Sequence, residues 1–389
     1  MAKGFFRFRC YTEVSSAQPA PWRCARWEKS RSAFAMPQPT ASFAALQRLV
    51  IPPEPRQAWL REALDLRYPD TRDVEAWRAF AAASSALAQR HLPAAAFRQI
   101  REFFSPAGPD ALLIENLPDD LALPPPPVDG SRPAAKSAVS EAVIAGLVEP
   151  HAEIFAYSNE KAGAPIHEIV PVPGKEEARS NAGRVAFPCH TDVAFLAPDF
   201  SPSGLILLGL RNPTAAATSV LFLDRVLEAA PKSLVESLSK PIFHHPAPAS
   251  FELAFSATGP VLWRDESGTA RVAVQTHAVQ AANAEGRQAI AELRAVLAQL
   301  QPERVILGPG VALLFRNDRV LHGRDAFHGE RWLQRAYFTQ CSERFRERTG
   351  AGPGAFVFDA CQLLRRPACQ TNGGQKNLAP HPSFRHSRN

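Results

Sequence analysis

Apolar residues recur at three- and four-residue spacing early in the chain and give way to short, dense apolar runs beyond it. Helical periodicity runs through 56–66 around Trp59, Leu60 and Leu64, and through 74–91 around Trp77, Phe80 and Leu87. It continues over 93–104 around Phe97, Ile100 and Phe103, with proline-bearing breaks at 52–55 and 67–73 between segments. The pattern over 41–104 therefore predicts a helical layer packed outside a sheet. Residues 111–117 read as the first strand, the prolines 124–127 as a stiff connector, and 136–148 as another helix. From 154 onward strands dominate: 154–157, 185–190, 204–210, 219–223, 261–264, 270–275, 311–315 and 333–341. Two amphipathic helices interrupt them, 224–238 with Asp224 as N-cap, and 285–300. Many short strands with a few inserted helices predict an α+β, mainly β chain built on a jelly-roll-like double sheet.

The length of 389 residues and a hydrophobic content of 46% are enough for a sizeable core. No run approaches the roughly 18 apolar residues of a membrane-spanning helix. The net charge of +6 invites a search for a nucleic-acid partner, but its distribution argues against one. Residues 1–35 carry +5 and residues 365–389 another +5, which leaves −4 on the body between them. The expected division is a basic, disordered extension over 1–35, one catalytic domain over 36–365, and a polar, disordered tail over 366–389. Helical periodicity begins only after Met36, which reads as the true start. The six cysteines show no C-x-x-C spacing and no disulfide framework, so a reducing, cytoplasmic compartment is expected. Cys189 reads as a buried apolar residue.

Candidate chemistry centres on His190-Thr191-Asp192, read together with His322 far downstream. Residues two apart on an extended strand share a face, so His190 and Asp192 would point the same way. Two imidazoles and one carboxylate on an octahedral metal leave three adjacent positions open, the arrangement of non-haem Fe(II) oxygenases. A zinc hydrolase would also need a base such as the glutamate of H-E-x-x-H, and the sequence has none. His322 lies in Gly308-Pro-Gly-Val-Ala-Leu-Leu-Phe-Arg-Asn-Asp-Arg-Val-Leu-His-Gly-Arg324, where an apolar strand turns at Asn317-Asp318 and returns through the histidine. Arg331 and Arg335 follow, four apart on an expected strand and hence on one face. A guanidinium fork there suits the far carboxylate of a 2-oxoglutarate co-substrate whose keto-acid end chelates the iron.

Several further motifs stand in one order along 105–340. They are Gly108-Pro-Asp-Ala-Leu-Leu-Ile-Glu-Asn-Leu-Pro118, the Leu-Pro-Pro-Pro-Pro of 123–127, Glu160-Lys161, His167-Glu-Ile-Val-Pro-Val-Pro-Gly-Lys-Glu-Glu177 and Ser180-Asn-Ala-Gly183. With the triplet at 190–192, His322-Gly-Arg324 and Arg331-Trp-Leu-Gln-Arg335, the chain resembles the clavaminate synthase-like, TauD-type branch of the Fe(II)/2-oxoglutarate-dependent oxygenases. Within it the likeness is to the amino-acid hydroxylases, such as the asparagine oxygenases. The resemblance implies a double-stranded β-helix core, with iron held by His190, Asp192 and His322. It also implies consumption of 2-oxoglutarate and O2, release of succinate and CO2, and hydroxylation of a small substrate such as a free L-amino acid. By the same resemblance Arg331, with Thr218, would bind 2-oxoglutarate, and Arg335, Glu160 and Asn181 would bind substrate.

The sequence departs from that branch in using Asp192 where a glutamate is frequent, and in a shorter span from His322 to Arg331. It also has Ala273 where the asparagine and arginine hydroxylases have an acid, so an asparagine or arginine side chain would lose its partner. His244 and His245 read as solvated loop residues. The competing reading is a non-catalytic, metal-binding jelly roll that binds a small molecule; the intact triad and both arginines argue against it.

Overall fold

A computed structural model of the chain describes residues 45–364, apart from residue 252. The extension expected over 1–35 and the tail over 366–389 lie outside the described residues. The helical layer is present as α1 (Pro53–Ala63), α2 (Val74–His91) and α3 (Ala94–Phe103), but a strand the helical reading missed, β1 (Gln47–Val50), precedes it. Four residues are too few for a periodicity to register. Asp73 caps α2, its carboxylate accepting from the amides of Glu75 and Ala76. β2 (Ala111–Glu115), α4 (Val139–Val148), β3 (Glu153–Tyr157), β4 (Ile166–Ile169), β5 (Phe187–His190), β6 (Gly204–Arg211) and β7 (Ala217–Phe222) follow.

The helix expected over 224–238 is two, α5 (Leu223–Ala229) and α6 (Lys232–Leu238). Pro231 lacks the amide that would continue the first helix and instead starts the second. Asp224 is not the N-cap of α5, which is Phe222; its carboxylate accepts from Arg319 Nη2 at 2.7 Å. Next come β8 (Phe243–Pro246), β9 (Ser256–Gly259), β10 (Leu262–Arg264), β11 (Ala270–Val272), β12 (Gln280–Ala281) and α7 (Ala284–Gln299). His244 and His245 therefore stand on a strand, with His245 buried, and not in a solvated loop. The chain closes with β13 (Glu303–Ile306), β14 (Ala312–Arg316), β15 (Val320–Arg324), β16 (Trp332–Thr339), α8 (Ser342–Thr349) and β17 (Val357–Phe358). Among the described residues no helix is long and apolar enough to cross a membrane.

The result is a mixed α/β architecture with two main sheets. The larger runs β1-β2-β14-β6-β16-β3-β17, with β4 also paired to β16; the smaller runs β13-β7-β15-β5. Side-chain alternation sorts each strand between two environments. Ile206 and Leu208 of β6 and Ala336 and Phe338 of β16 pack on the helical layer around Trp59, Trp77 and α4. Their neighbours Leu205, Leu207, Leu333 and Tyr337 turn the other way. There they meet Val220 and Phe222 of β7 and Val320 of β15 in a shared core between the sheets. The outward residues of the smaller sheet, Leu221 and Leu321, pack with α5, α6 and α7. Cys189 joins that outer cluster half-buried, facing away from His190.

Candidate active site

The same alternation that builds the inter-sheet core turns several polar side chains of the site inward from the strands. On β16 the inward positions are Leu333, Arg335 and Tyr337; on β15 they are Val320, His322 and Arg324. On β7 they include Thr218 and Val220, on β4 His167 and Ile169, and β5 contributes its last residue, His190. His190 and His322 are direct cross-strand partners in the antiparallel β5–β15 pair, with ring centroids 4.3 Å apart. Gly323 permits this approach. A Cβ there would lie 2.7 Å from the carbonyl oxygen of Phe187 and 3.1 Å from the amide of Cys189.

Asp192 arrives differently from the sequence reading, because β5 ends at His190 and Asp192 lies in the turn beyond it. Three devices set its position. Thr191 is stitched to Val274, its amide donating to the carbonyl at 2.8 Å and its hydroxyl accepting from the amide at 2.9 Å. The Asn317 side chain pairs with the Asp192 backbone, accepting from its amide and donating to its carbonyl, both at 2.9 Å. Val193 takes φ of +59°, an unusual value for a β-branched residue, and turns the chain back into the core. The carboxylate then has two faces. Oδ1 lies 3.3 Å from His190 Nε2 and 3.7 Å from His322 Nε2, while Oδ2 accepts from Arg335 Nη1 at 2.6 Å and from the Tyr337 hydroxyl at 3.3 Å.

The donor set fits a divalent transition metal. One ligand atom from each of His190, Asp192 and His322 lies within 4.8 Å of the others, and all three residues are buried. His190 Nδ1 sits 2.9 Å from the carbonyl oxygen of Pro188, which can only accept, so Nδ1 donates there and Nε2 is the nitrogen turned toward Asp192. Burial, reinforced by His190 alongside, pushes His322 down to about 3. Burial alone would raise the Asp192 carboxyl, but Arg335 with the two histidines holds it well below the usual range. Two imidazoles and one carboxylate thus converge with no Lys or Arg between them.

Arg335 anchors a second, buried row. Its Nη2 donates to Glu160 Oε1 and to His167 Nδ1, both at 2.8 Å, and its guanidinium stacks 4.3 Å from the Tyr337 ring. Burial opposes its charge, but Glu160, Tyr337 and Asp192 together raise its pKa. Its Nε–H is buried with no protein acceptor. His167, buried beside Arg335, is pushed down to about 4 and accepts as a neutral ring.

Arg331 lies just ahead of β16 and is buried, with Nη2 donating to Thr218 Oγ1 at 3.1 Å. It forms no ion pair among the described residues, and its Nε–H is buried without a partner. Burial, with Arg324 nearby, pushes it down to about 9. Asn181 stands apart: it lies half-buried in a turn between β4 and β5, and no hydrogen bond joins it to this cluster among the described residues. Sequence reasoning missed Tyr337, His167 and the clamp of Asn317, which it took for a turn signal alone. A cavity of about 550 Å³ lies elsewhere, lined by Trp77, Arg78, Glu149, His151 and Gln340 among others, and shares no residue with the site.

Comparison with known proteins agrees with this geometry. The family described as "Taurine catabolism dioxygenase TauD, TfdA family" matches residues 133–337. The L-asparagine oxygenase of Streptomyces coelicolor is 33% identical over 260 residues, which cover 63% of this chain and 76% of that protein. Asparagine oxygenase in complex with Fe(II), 2S,3S-3-hydroxyasparagine and succinate is similar at a TM-score of 0.71 and 26% identity, over 80% of this chain and 99% of that one. The non-haem iron oxygenase OrfP in complex with Fe and alpha-ketoglutaric acid shares the fold, with a TM-score of 0.67 at 22% identity, over 80% of this chain and 99% of that one. The chain belongs to the TauD/TfdA family of dioxygenases.

Proposed function

We propose that this chain is an Fe(II)- and 2-oxoglutarate-dependent dioxygenase that hydroxylates an unactivated C–H bond of a free L-amino acid or a close derivative, releasing succinate and CO2. The single observation that carries the reading is the convergence of His190 Nε2, Asp192 Oδ1 and His322 Nε2, which would hold the iron. Iron held there would supply the redox chemistry that couples oxidation of the keto acid by O2 to oxidation of the substrate. The rest is the work of this chain's own residues. Asp192 has Oδ2 occupied by Arg335 and Tyr337, which leaves Oδ1 as the oxygen that would meet the metal. Arg331, buried without a carboxylate and braced by Thr218, binds the far carboxylate of 2-oxoglutarate.

Arg335 presents its unpartnered Nε–H to the substrate carboxylate, and Glu160 Oε2, also buried without a hydrogen-bond partner, receives the substrate ammonium. Asn181 would reach the amino-acid head group from the β4–β5 turn. Phe187 stacks on His190, Phe315 packs against His322 and Tyr337 lies over Asp192, and together they keep water from the reacting centre. The relative that matches over most of its length acts on asparagine by name, and the small-substrate reading for this chain rests on it. Ala273, buried and apolar, favours an amino-acid side chain that needs no carboxylate partner there.

We take the two facing sheets as the halves of a double-stranded β-helix, the jelly-roll core of a single catalytic domain over 36–365, with outer N-terminal and inserted helices. A cytoplasmic enzyme with no nucleic-acid or membrane partner fits the cysteine pattern and the placement of charge along the sequence. Aerobic incubation of the Fe(II)-loaded protein with 2-oxoglutarate and a panel of free amino acids tests the reading. Succinate coupled to a product heavier by one oxygen atom supports it, and no succinate with any substrate would refute it.

A further inference from the structure

Arg331 is not the only cation without a counter-charge in the inter-sheet space. Arg324, two residues beyond His322 and on the same inward face of β15, is equally buried. It forms no ion pair among the described residues. Its Nη2 donates to the Val185 carbonyl at 2.6 Å and its Nε to the Asp325 carbonyl at 3.3 Å, both neutral acceptors. The acids nearest in sequence are committed elsewhere, Asp325 to Arg304 and Glu330 to Arg211. In the β15–β7 ladder the residue directly opposite Arg324 is Thr218, whose hydroxyl accepts from Arg331. Both guanidiniums also address one ring, Arg324 at 4.9 Å and Arg331 at 5.9 Å from the centroid of Phe327.

Two buried like charges at one spot repel each other and are costly unless an anion joins them. Adjoining backbone carbonyls and one threonine hydroxyl soften that cost without cancelling the charge. We infer that Arg324 is a second positioning cation for the distal carboxylate of the 2-oxo acid, acting beside Arg331 and Thr218 so that the pocket selects a dicarboxylate over a monocarboxylate. This rests on the co-substrate reading above and extends it to a residue with no role there. Arg324 sets the field that the carboxylate enters, and by gripping Val185 it fixes the segment leading into β5 and His190. A purely structural Arg324 would do only the second of these.

Equilibrium binding separates the two roles. The full-length chain is loaded with Fe(II) without oxygen, so that nothing turns over, and titrated calorimetrically with 2-oxoglutarate and with 2-oxovalerate, which lacks the distal carboxylate. In Arg324→Gln, which keeps hydrogen-bond donors for the carbonyls but removes the charge, Kd for 2-oxoglutarate should rise about tenfold or more while Kd for 2-oxovalerate changes less than about twofold. Arg324→Lys should hold 2-oxoglutarate affinity within about threefold of the parent. Equal weakening toward both acids, no weakening at all, or a lysine variant as impaired as the glutamine one overturns the assignment. A parent protein that binds neither acid refutes the proposed function itself. A parent that prefers 2-oxoglutarate, beside a glutamine variant with the same preference, removes only the role of Arg324.

Discussion

Replacing Arg335 with methionine tests whether the buried row Glu160–Arg335–Asp192 is an electrostatic unit. The three side chains are 3, 4 and 9% exposed, and the guanidinium holds the carboxylates at 2.8 and 2.6 Å. Methionine fills much the same volume and cannot carry charge, so the substitution leaves two buried carboxylates facing one another across an apolar chain. Breaking a buried pair by removing one partner costs about 3–5 kcal/mol, against about 1 kcal/mol or less for an exposed pair. His167, which accepts from Arg335 in the parent, can offset part of that by taking up a proton. A divalent metal offsets the Asp192 charge directly, so added Fe(II) or Mn(II) should restore part of the loss. Urea unfolding followed by circular dichroism, with and without metal, reads the change. Glu160→Gln combined with Arg335→Met should cost less than Arg335→Met alone, because one stranded charge is gone. A loss below about 1 kcal/mol, or a double variant that simply adds the two single losses, would refute the reasoning.

Three other perturbations follow from the same geometry. Gly323→Ala drives a methyl group toward the Phe187 carbonyl and should part β5 from β15, lowering metal affinity at least tenfold by equilibrium dialysis while the helical circular dichroism is retained. Asn317→Ala removes both hydrogen bonds to the Asp192 backbone; stability should fall by about 1–3 kcal/mol in urea and metal affinity should drop with it. Glu168, buried and next to Glu141, has its carboxyl raised to about 7 while it accepts from Gln334 and Trp332. The unfolded chain ionises this group in the ordinary glutamate range, so its contribution is complete at low pH. It falls as pH rises toward 7 and is flat above, a change on the order of 3 kcal/mol. Glu168→Gln should flatten the stability profile between about pH 4.5 and 7, and an unchanged slope would contradict the assignment.

The cluster of His190, Asp192 and His322 was legible because residue type and motif carry its chemistry, and its three members do lie together. What the sequence could not show is how Asp192 reaches the metal. Strand alternation was expected to place it, whereas a turn after His190, a positive φ at Val193 and the Asn317 clamp do so. Such a clamp joins positions 125 residues apart and leaves no local pattern. Tyr337 and His167 were hidden for a related reason: on β16 and β4 they look like ordinary members of buried strands until the opposite sheet is present. Short strands such as β1, β8 and β13 went unread, since each has only four residues and lacks a dense apolar run to mark it. Pro231 was visible, but its effect depended on whether α6 restarted beyond it, a matter of packing against α7 rather than of local propensity. The long, strongly periodic segments α2 and α7 were placed to within a residue or so.

The most direct test of the central claim is the iron stoichiometry of the anaerobic protein together with its succinate yield from 2-oxoglutarate in air, compared between the parent chain and His322→Ala. The expected result is one Fe(II) per parent chain with succinate formed, and loss of both in the variant, whose histidine lies 132 positions from its strand partner His190. A variant that still binds one iron and makes succinate at the parent's rate would contradict the convergence of His190, Asp192 and His322 on a single ion.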